Sequence, residues 1–410
     1  MRIVLPITMG IERPSGVRYF QIARGLARRG HSVRILALHP DLAGCPQRRF
    51  VRDGVEVWYV GQMHARKSGS VPVRFNALQL LRVLIGSTLG MIWGMLCSPA
   101  DVYHLGKPQP VNGLAALVAV LLRGRRFYVD CDDDEVGSNR FSAGWQRAVF
   151  AFWQSLLPRL AAGVTVNTRF LAERMRRRGI ERVVYVPNGV DLDRLRRPDP
   201  AASAGLRAAL GLAGRRVIAY AGTLALHNHP VDLLLDAFAQ LAPDLPDLDL
   251  LLIGGGEDLP ELRRRVRAMG LTDRVHFTGQ LPQQSVRGYL SLAALSVDPV
   301  HDDDVARARS PLKIFESMAL GVPVVTGDVG DRRQLLAHGA GVVTAPGDAT
   351  ALATTIRRLL DDPAWLRAAA SAATAAAAQY DWHRLSGRWT EVYAPSRPDS
   401  DLSMKESDKV

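Results

Sequence analysis

Cysteine is scarce in this chain of 410 residues: Cys45, Cys97 and Cys131 are too few and too scattered for a disulfide framework, and none has zinc-ligand spacing. That composition fits a reducing cytoplasm. Lysine is almost as rare, occurring only at Lys67, Lys107, Lys313, Lys405 and Lys409, so arginine carries nearly all the positive charge behind the net +12. Aromatic residues make up 7% and do not interleave with arginine-rich stretches such as 173–178 and 261–267. Those stretches read as solvated helix faces, which argues against a nucleic-acid strip. The excess charge instead favours smaller anionic partners, a nucleotide or a lipid head group, and leaves peripheral contact with an anionic membrane open.

Long apolar runs are missing too. The longest, 84–97, is broken by Gly86, Gly90 and Gly94 and falls short of the roughly 20 residues that span a bilayer. As a helix it is apolar nearly all round, so it is either buried in the first domain or dips into a membrane surface; burial is the favoured expectation. The N-terminal apolar run meets Glu12 and Arg13 with no long apolar region or cleavage site, and reads as a first strand, not a signal peptide. Around Thr8 to Gly10 there is no G-x-G-x-x-G spacing, which disfavours a dinucleotide-dependent oxidoreductase.

What is present is an α/β rhythm at two-domain length, since single cores rarely grow past roughly 250–300 residues. Hydrophobic residues reach 47%, enough to bury proper cores. Strand-like runs at 2–6, 32–38, 55–60, 102–105, 126–130, 163–167 and 183–187 alternate with helical patterns, the first being 16–29, closed by Gly30. A segment at 191–214 rich in proline, small residues and charge interrupts the rhythm. Strands resume at 217–221, 249–253, 275–278, 295–299, 322–326 and 341–344. The expected organisation is a Rossmann-like domain over 1–195 and a second over 196–380. A terminal helix over 381–394 packs across both, and a polar tail over 395–410 is expected to be disordered.

The most informative segment runs from Arg309 through Ser310, Pro311, Leu312 and Lys313 to Glu316 and on to Gly321. Pro311 at a helix start leaves first-turn N–H groups free for a phosphate, Lys313 adds a point charge, and Glu316 one turn later can accept hydrogen bonds from two ribose hydroxyls. A surface helix with an ordinary glutamate is the competing reading of any short piece of this pattern. The full stretch resembles the signature of the retaining glycosyltransferases of family 4, in the branch with Ser-Pro-x-Lys before the glutamate. Further pieces follow in that family's order: Ser15-Gly16, the turn at 29–33, 185–191 with Pro187-Asn188-Gly189, Gly222-Thr223, and Gly254 to Gly256.

The resemblance implies a GT-B architecture, two Rossmann-like domains facing each other across a cleft, the first on the acceptor side and the second holding a nucleotide-sugar. On it, Glu316 is the ribose carboxylate, Lys313 with the N–H groups of 310–312 is the diphosphate cradle, and Arg309 assists. Gly222 and Thr223 are where donor phosphates approach the backbone, and Gly254, Gly255 and Gly279 are turns lining the base. A glycine turn alone is weak evidence. No cofactor and no metal are implied, because protein cations cover the phosphates. Transfer of a hexose-type sugar to a glycan, lipid-linked or small-molecule acceptor is the expected reaction, with retention.

Two departures stand out. Ala308 occupies the place eight positions before Glu316 where many members carry an acid, and 224–230 lack the arginine and lysine common after the Gly222-type turn. His227 and His229 are candidate substitutes for those cations. The acidic run Asp130 to Glu135 lies at the end of a strand, and Asp132, counted with Lys313 and Glu316 as a catalytic candidate, and Asp133 are candidates for acceptor or sugar recognition, against a solvated loop or helix start and, more remotely, a metal site. His104, expected to point toward the cleft, joins Ser15 and Gly16 as an acceptor- or sugar-side candidate. The same carboxylates keep an epimerase or hydrolase of this architecture open, and Ala308 keeps open a non-catalytic sugar-nucleotide-binding subunit.

Overall fold

The computed structural model describes residues 1–64, 66–68, 71–73, 75–141 and 143–394; the tail expected at 395–410 lies outside the described residues. The first half contains β1 (Arg2–Pro6), α1 (Pro14–Arg28), β2 (Ser32–His39), β3 (Arg49–Arg52), β4 (Val55–Gln62), a short hairpin of β5 (Arg66–Ser68) and β6 (Val71–Val73), and α2 (Ala77–Leu96). It continues with β7 (Val102–Gly106), α3 (Pro110–Arg123), β8 (Phe127–Cys131), α4 (Gly144–Leu160), β9 (Val164–Val166), α5 (Arg169–Arg177) and β10 (Val183–Tyr185). These strands form an eight-stranded sheet of order β10-β9-β8-β7-β1-β2-β4-β3, parallel except for the edge strand β3.

After α6 (Pro200–Ala209) the second sheet begins with β11 (Arg216–Ala221), α7 (Val231–Leu241), β12 (Leu248–Ile253), α8 (Leu259–Ala268), β13 (Val275–Phe277), α9 (Gln283–Leu290) and β14 (Leu295–Asp298). Two short helices, α10 (Asp304–Arg307) and α11 (Leu312–Ala319), lead into β15 (Val324–Gly327), α12 (Arg332–Leu335), β16 (Gly341–Thr344), α13 (Ala349–Leu360) and α14 (Pro363–Ala377). Its six strands are all parallel, in the order β13-β12-β11-β14-β15-β16. A parallel sheet is covered by helices on both faces, so its strands are largely apolar; all six residues of β12 are buried, Asp249 among them paired with Arg215 at 2.6 Å and Arg274 at 3.0 Å.

The last helix, α15 (Trp382–Trp389), leaves the second domain and returns to the first. Trp382, Leu385, Trp389 and Val392 join the core between β1, β2 and α1, together with Ile3, Leu5, Phe20 and Ile22. Beneath them, fully buried Arg18 is held by Asp130 at 2.9 Å and by the carbonyl of Val186, also at 2.9 Å. A buried charge is tolerable only when paired and hydrogen-bonded to this extent.

The apolar run at 84–97 departs from expectation. The helix is longer, 20 residues, and lies along the sheet; Met91 and Met95 face inward, while Leu78, Leu81, Ile85, Leu89 and Trp93 stand exposed. Gly90 permits this seat, because a Cβ there would lie 2.1 Å from the Val60 carbonyl oxygen. Burial is therefore confined to one face of α2. Counting apolar residues missed this, since all faces of the helix are apolar and only packing decides which one is covered.

Candidate functional site

In parallel sheets ligands gather at the carboxyl ends of the strands, where the loops open outward. In the second domain those ends bring together the turns after β11, β12 and β13. The peptide of Gly254 runs so close to Gly222 that a Cβ on Gly254 would lie 2.0 Å from the Gly222 carbonyl oxygen, and Gly254 bridges to Gly279. The Gly255 carbonyl accepts the Leu224 N–H at 3.1 Å, fixing the same turn. Thr223 is exposed at its tip, with its carbonyl accepting the Tyr220 hydroxyl at 2.9 Å.

Lys313, in the first turn of α11, reaches this turn from the neighbouring loop; a Cβ on Gly222 would lie 3.2 Å from the Lys313 Cε. Its ammonium stands 3.0 Å from Asp298 Oδ1 and 4.1 Å from the centre of the Tyr220 ring. Burial works against the charge, but Tyr220 and Asp298 outweigh it and raise the Lys313 pKa. Asp298 also pairs with Arg332 at 3.1 Å, and the two cations overcome burial to hold its carboxyl well below the usual range. The lysine is thus fixed and charged.

Glu316 lies one turn further along α11. Burial raises its pKa and only Lys313 opposes the shift. Among the described residues nothing donates a hydrogen bond to it. A carboxylate that is half-buried and unpartnered, next to a fixed cation, has its acceptor capacity free for a ligand.

The rest of the expected cradle needs correction. Pro311 caps α11 and has no N–H, so the free donors at this end belong to Leu312 and Lys313. The Ser310 hydroxyl accepts the Asn188 N–H at 3.1 Å and its carbonyl accepts the Asn188 amide at 2.6 Å, which ties the motif to the first domain. The Leu312 side chain packs against the first domain's core. Arg309 donates to the Asn228 carbonyl at 2.7 Å. His229 does not replace a missing cation: burial, then Lys313 and Arg309, push its pKa down to about 2, so the ring is neutral. Burial and Arg140 likewise lower His227, despite Glu257 at 3.4 Å.

Facing this surface are the ends of β7 and β8. The acidic run after β8 is largely spoken for: Asp130 by Arg18, Asp134 by Arg174 at 3.1 Å, and Glu135 by Lys107 at 2.6 Å. Lys107 also stands 3.1 Å from Asp132 Oδ1, an ion-pair distance at which no aligned hydrogen bond forms. Asp133 takes the Ser138 hydroxyl at 2.6 Å and the Asp134 N–H at 2.9 Å. Burial lifts its pKa to about 6 against the pull of Lys107 and of Arg309 from the other domain. Asp133 is therefore held by its own loop while lying within electrostatic reach of Arg309.

Ser15 and Gly16 sit in the first turn of α1, with Gly16 pressed against the Gly10 carbonyl. His104 does not reach the cleft. It is fully buried, with Nδ1 2.9 Å from the Tyr393 hydroxyl and Nε2 3.1 Å from Thr165 Oγ1, and its ring lies 4.3 Å from that of Trp389. The returning α15 covers it, an arrangement that strand spacing does not reveal. Sequence reasoning also passed over Lys107, Tyr220 and Asp298; the rarity of lysine was the available signal for the first.

Two parallel-sheet domains, with a glycine-lined turn, a fixed lysine and a free carboxylate on one side of the cleft and a carboxylate cluster on the other, define a GT-B architecture. Profiles of known families agree: "Glycosyl transferase 4-like domain" matches residues 15–189 and "Glycosyl transferases group 1" matches residues 215–362. The chain belongs to this GT-B glycosyltransferase family. It is 32% identical over 286 residues to a 2-deoxystreptamine glucosyltransferase of Streptomyces kanamyceticus, 67% of each chain. It is 32% identical over 246 residues to a D-inositol 3-phosphate glycosyltransferase of Thermobispora bispora, covering 57% of this chain and 55% of that one. The match thus spans little more than half the length of that relative. Among solved structures, sucrose-phosphate synthase from Thermosynechococcus elongatus superposes with TM-score 0.74 at 21% identity, covering 96% of this chain and 98% of that one. Anabaena HepE, solved with UDP and glucose, gives 0.70 at 20%, covering 96% and 99%.

Proposed function

We propose that this chain is a retaining family 4 glycosyltransferase, moving a hexose-type sugar from a nucleotide-diphosphate sugar to a glycan, lipid-linked or small-molecule acceptor hydroxyl without a metal ion. The observation that carries the reading is Glu316, half-buried and unpartnered one turn from Lys313, which suits a ribose diol beside a diphosphate. The absence of a side chain at Gly222 lets that diphosphate approach Lys313 and the free N–H groups of α11. As the bond between the anomeric carbon and the phosphate oxygen breaks, charge grows on the leaving diphosphate, and Lys313 stabilises it. The acceptor oxygen attacks from the same face, and its proton passes to a donor phosphate oxygen, so no protein base is required. Asp133 and Asp132 flank the acceptor side.

The relatives' names support the class and not one substrate: they include a GDP-mannose-dependent mannosyltransferase and a kanosaminyltransferase. Incubation with labelled UDP- and GDP-sugars, with and without glycan and lipid-linked acceptors, tests the proposal. Acceptor-dependent transfer is the expected result. Turnover of the donor that is indifferent to acceptor favours an epimerase or hydrolase, and binding without turnover favours a non-catalytic subunit; either result overturns the reading.

A further inference from the structure

Among the described residues, every exposed large apolar side chain except Met1 and Val51 stands on three helices, α2, α3 and α4, and none is in the second domain. These helices cover one face of the first sheet. Each turns one side to the core, with Met91 and Met95 from α2, Ala115 and Ala119 from α3, and Trp153 and Leu157 from α4 in a single cluster. Their opposite sides are also apolar and open: Ile85, Leu89 and Trp93 on α2, Leu121 on α3, Trp145 and Phe152 on α4. On α4 the exposed residues Trp145, Val149 and Phe152 recur at helical spacing, so the outer face is a stripe and not a scatter. A soluble monomer seldom leaves so large an apolar surface uncovered.

The charge on these helices identifies what covers them. No aspartate or glutamate occurs in α2, α3 or α4, whereas Arg82, Arg123, Arg147 and Arg159 do, and exposed Arg125 and Arg126 follow α3 directly. Aliphatic and tryptophan side chains on a broad face, edged by arginine and free of acid, match the boundary of a bilayer with anionic head groups. A protein partner of ordinary character would ask for a polar rim of both signs. Alpha2 is long and apolar enough to cross a membrane by length and composition, but it lies flat on β4 through Gly90 as part of the domain layer.

We infer that the outer face of α2, α3 and α4 is a docking surface for an anionic lipid bilayer. The helices lie in the interface plane, with Ile85, Trp93, Trp145 and Phe152 entering the acyl boundary and the arginines meeting lipid phosphates. Because α3 starts just after β7 beside Lys107, and Gln154 of α4 donates to Asp134 at 3.2 Å, the docked face adjoins the acceptor side of the cleft.

The test uses the full chain and vesicles of phosphatidylcholine alone or mixed with phosphatidylglycerol; it needs neither donor nor acceptor, so its outcome is separate from that of the transfer assay. Flotation with the anionic vesicles is expected, with quenching of tryptophan emission by brominated lipid that is lost in a Trp93→Phe/Trp145→Phe variant. An Ile85→Ser/Phe152→Ser variant should partition about tenfold more weakly or worse. These side chains are exposed, so its melting temperature should stay near that of the parent. Failure of the parent protein to float with anionic vesicles overturns the inference, as does quenching that survives removal of both tryptophans. A dimer in light scattering that the serine variant dissociates, without flotation, assigns the face to a second copy instead.

Discussion

The ammonium of Lys313 stands 3.0 Å from Asp298 Oδ1 and over the Tyr220 ring, so the cation is in position before any donor arrives. A charge that needs no reorganisation is the efficient way to stabilise a leaving group. Lys313→Ala is expected to lower turnover at saturating donor by about 10²–10³-fold. Arg332 continues to pair Asp298, so the variant should remain folded. Steady-state kinetics with a melting curve check both halves; an unchanged turnover number contradicts the assignment.

For Glu316 the expected effects on binding and stability have opposite signs. Replacing it with alanine should weaken nucleotide affinity by roughly 10- to 100-fold, the range of a lost charge-assisted hydrogen bond to a ribose diol. Its raised pKa means that the folded state binds the proton more tightly than the unfolded one. Stability relative to the unfolded chain is therefore full below the unfolded pKa and is lost as pH rises through the folded one. Glu316→Gln should accordingly melt at or above the parent's temperature near pH 8 while binding donor less well, as calorimetry can read. Parent-like affinity in either variant removes the ribose role.

Asp133, with its pKa lifted to about 6, is protonated on the acid side of neutrality. If its ionised form serves the acceptor, the pH profile of kcat/KM should fall below about pH 6, and that acidic limb should disappear in Asp133→Asn at the cost of a lower plateau. A limb that persists in the variant assigns the titration elsewhere.

Metal removal should leave most of the transfer rate intact. Most of the acids that could hold an ion are engaged by protein cations, Asp130 by Arg18, Asp134 by Arg174 and Glu135 by Lys107, while Asp133 is held by the Ser138 hydroxyl. Asp302 and Asp304 lie within reach of Arg307 and Arg174. Excess EDTA followed by Mg²⁺ or Mn²⁺ provides the measurement; collapse and rescue would promote one of these clusters to a metal site.

Ala308 has no exposed surface and packs with the core cluster of the first domain. Restoring an acid there, as Ala308→Glu, places a carboxylate in an apolar contact between the domains. A loss of about 2 kcal/mol in chemical denaturation is expected, unless Arg309 or Arg332 captures it. A stabilised variant with higher activity would indicate that the alanine is a defect in the sugar site.

The donor-side candidates could be named from the sequence because their spacing is local: Ser310, Lys313 and Glu316 sit within two turns of one another, and the glycine turns each follow a strand. What escaped depends on distance through space. Asp298 ends a different strand from the helix carrying Lys313, and Lys107 is separated from Glu135 by α3 and β8. His104 misled because a histidine at a strand end looks available until a helix from the far end of the chain, bearing Trp389, covers it. The inward face of α2 was equally hidden, since apolarity on all sides carries no direction.

That returning helix also changes how the two halves can move. The chain passes between the domains twice, once after β10 and once before α15, and the passages are joined: the Val190 N–H donates to the Tyr380 carbonyl at 2.9 Å, and the Trp382 N–H donates to the Val190 carbonyl at 3.1 Å. A single linker is a tether that permits sliding and twisting alike, whereas two strands stitched side by side form a strap hinge. The two passages therefore constrain the domains at a single line near Val190 and Asp381, not through one loose connection.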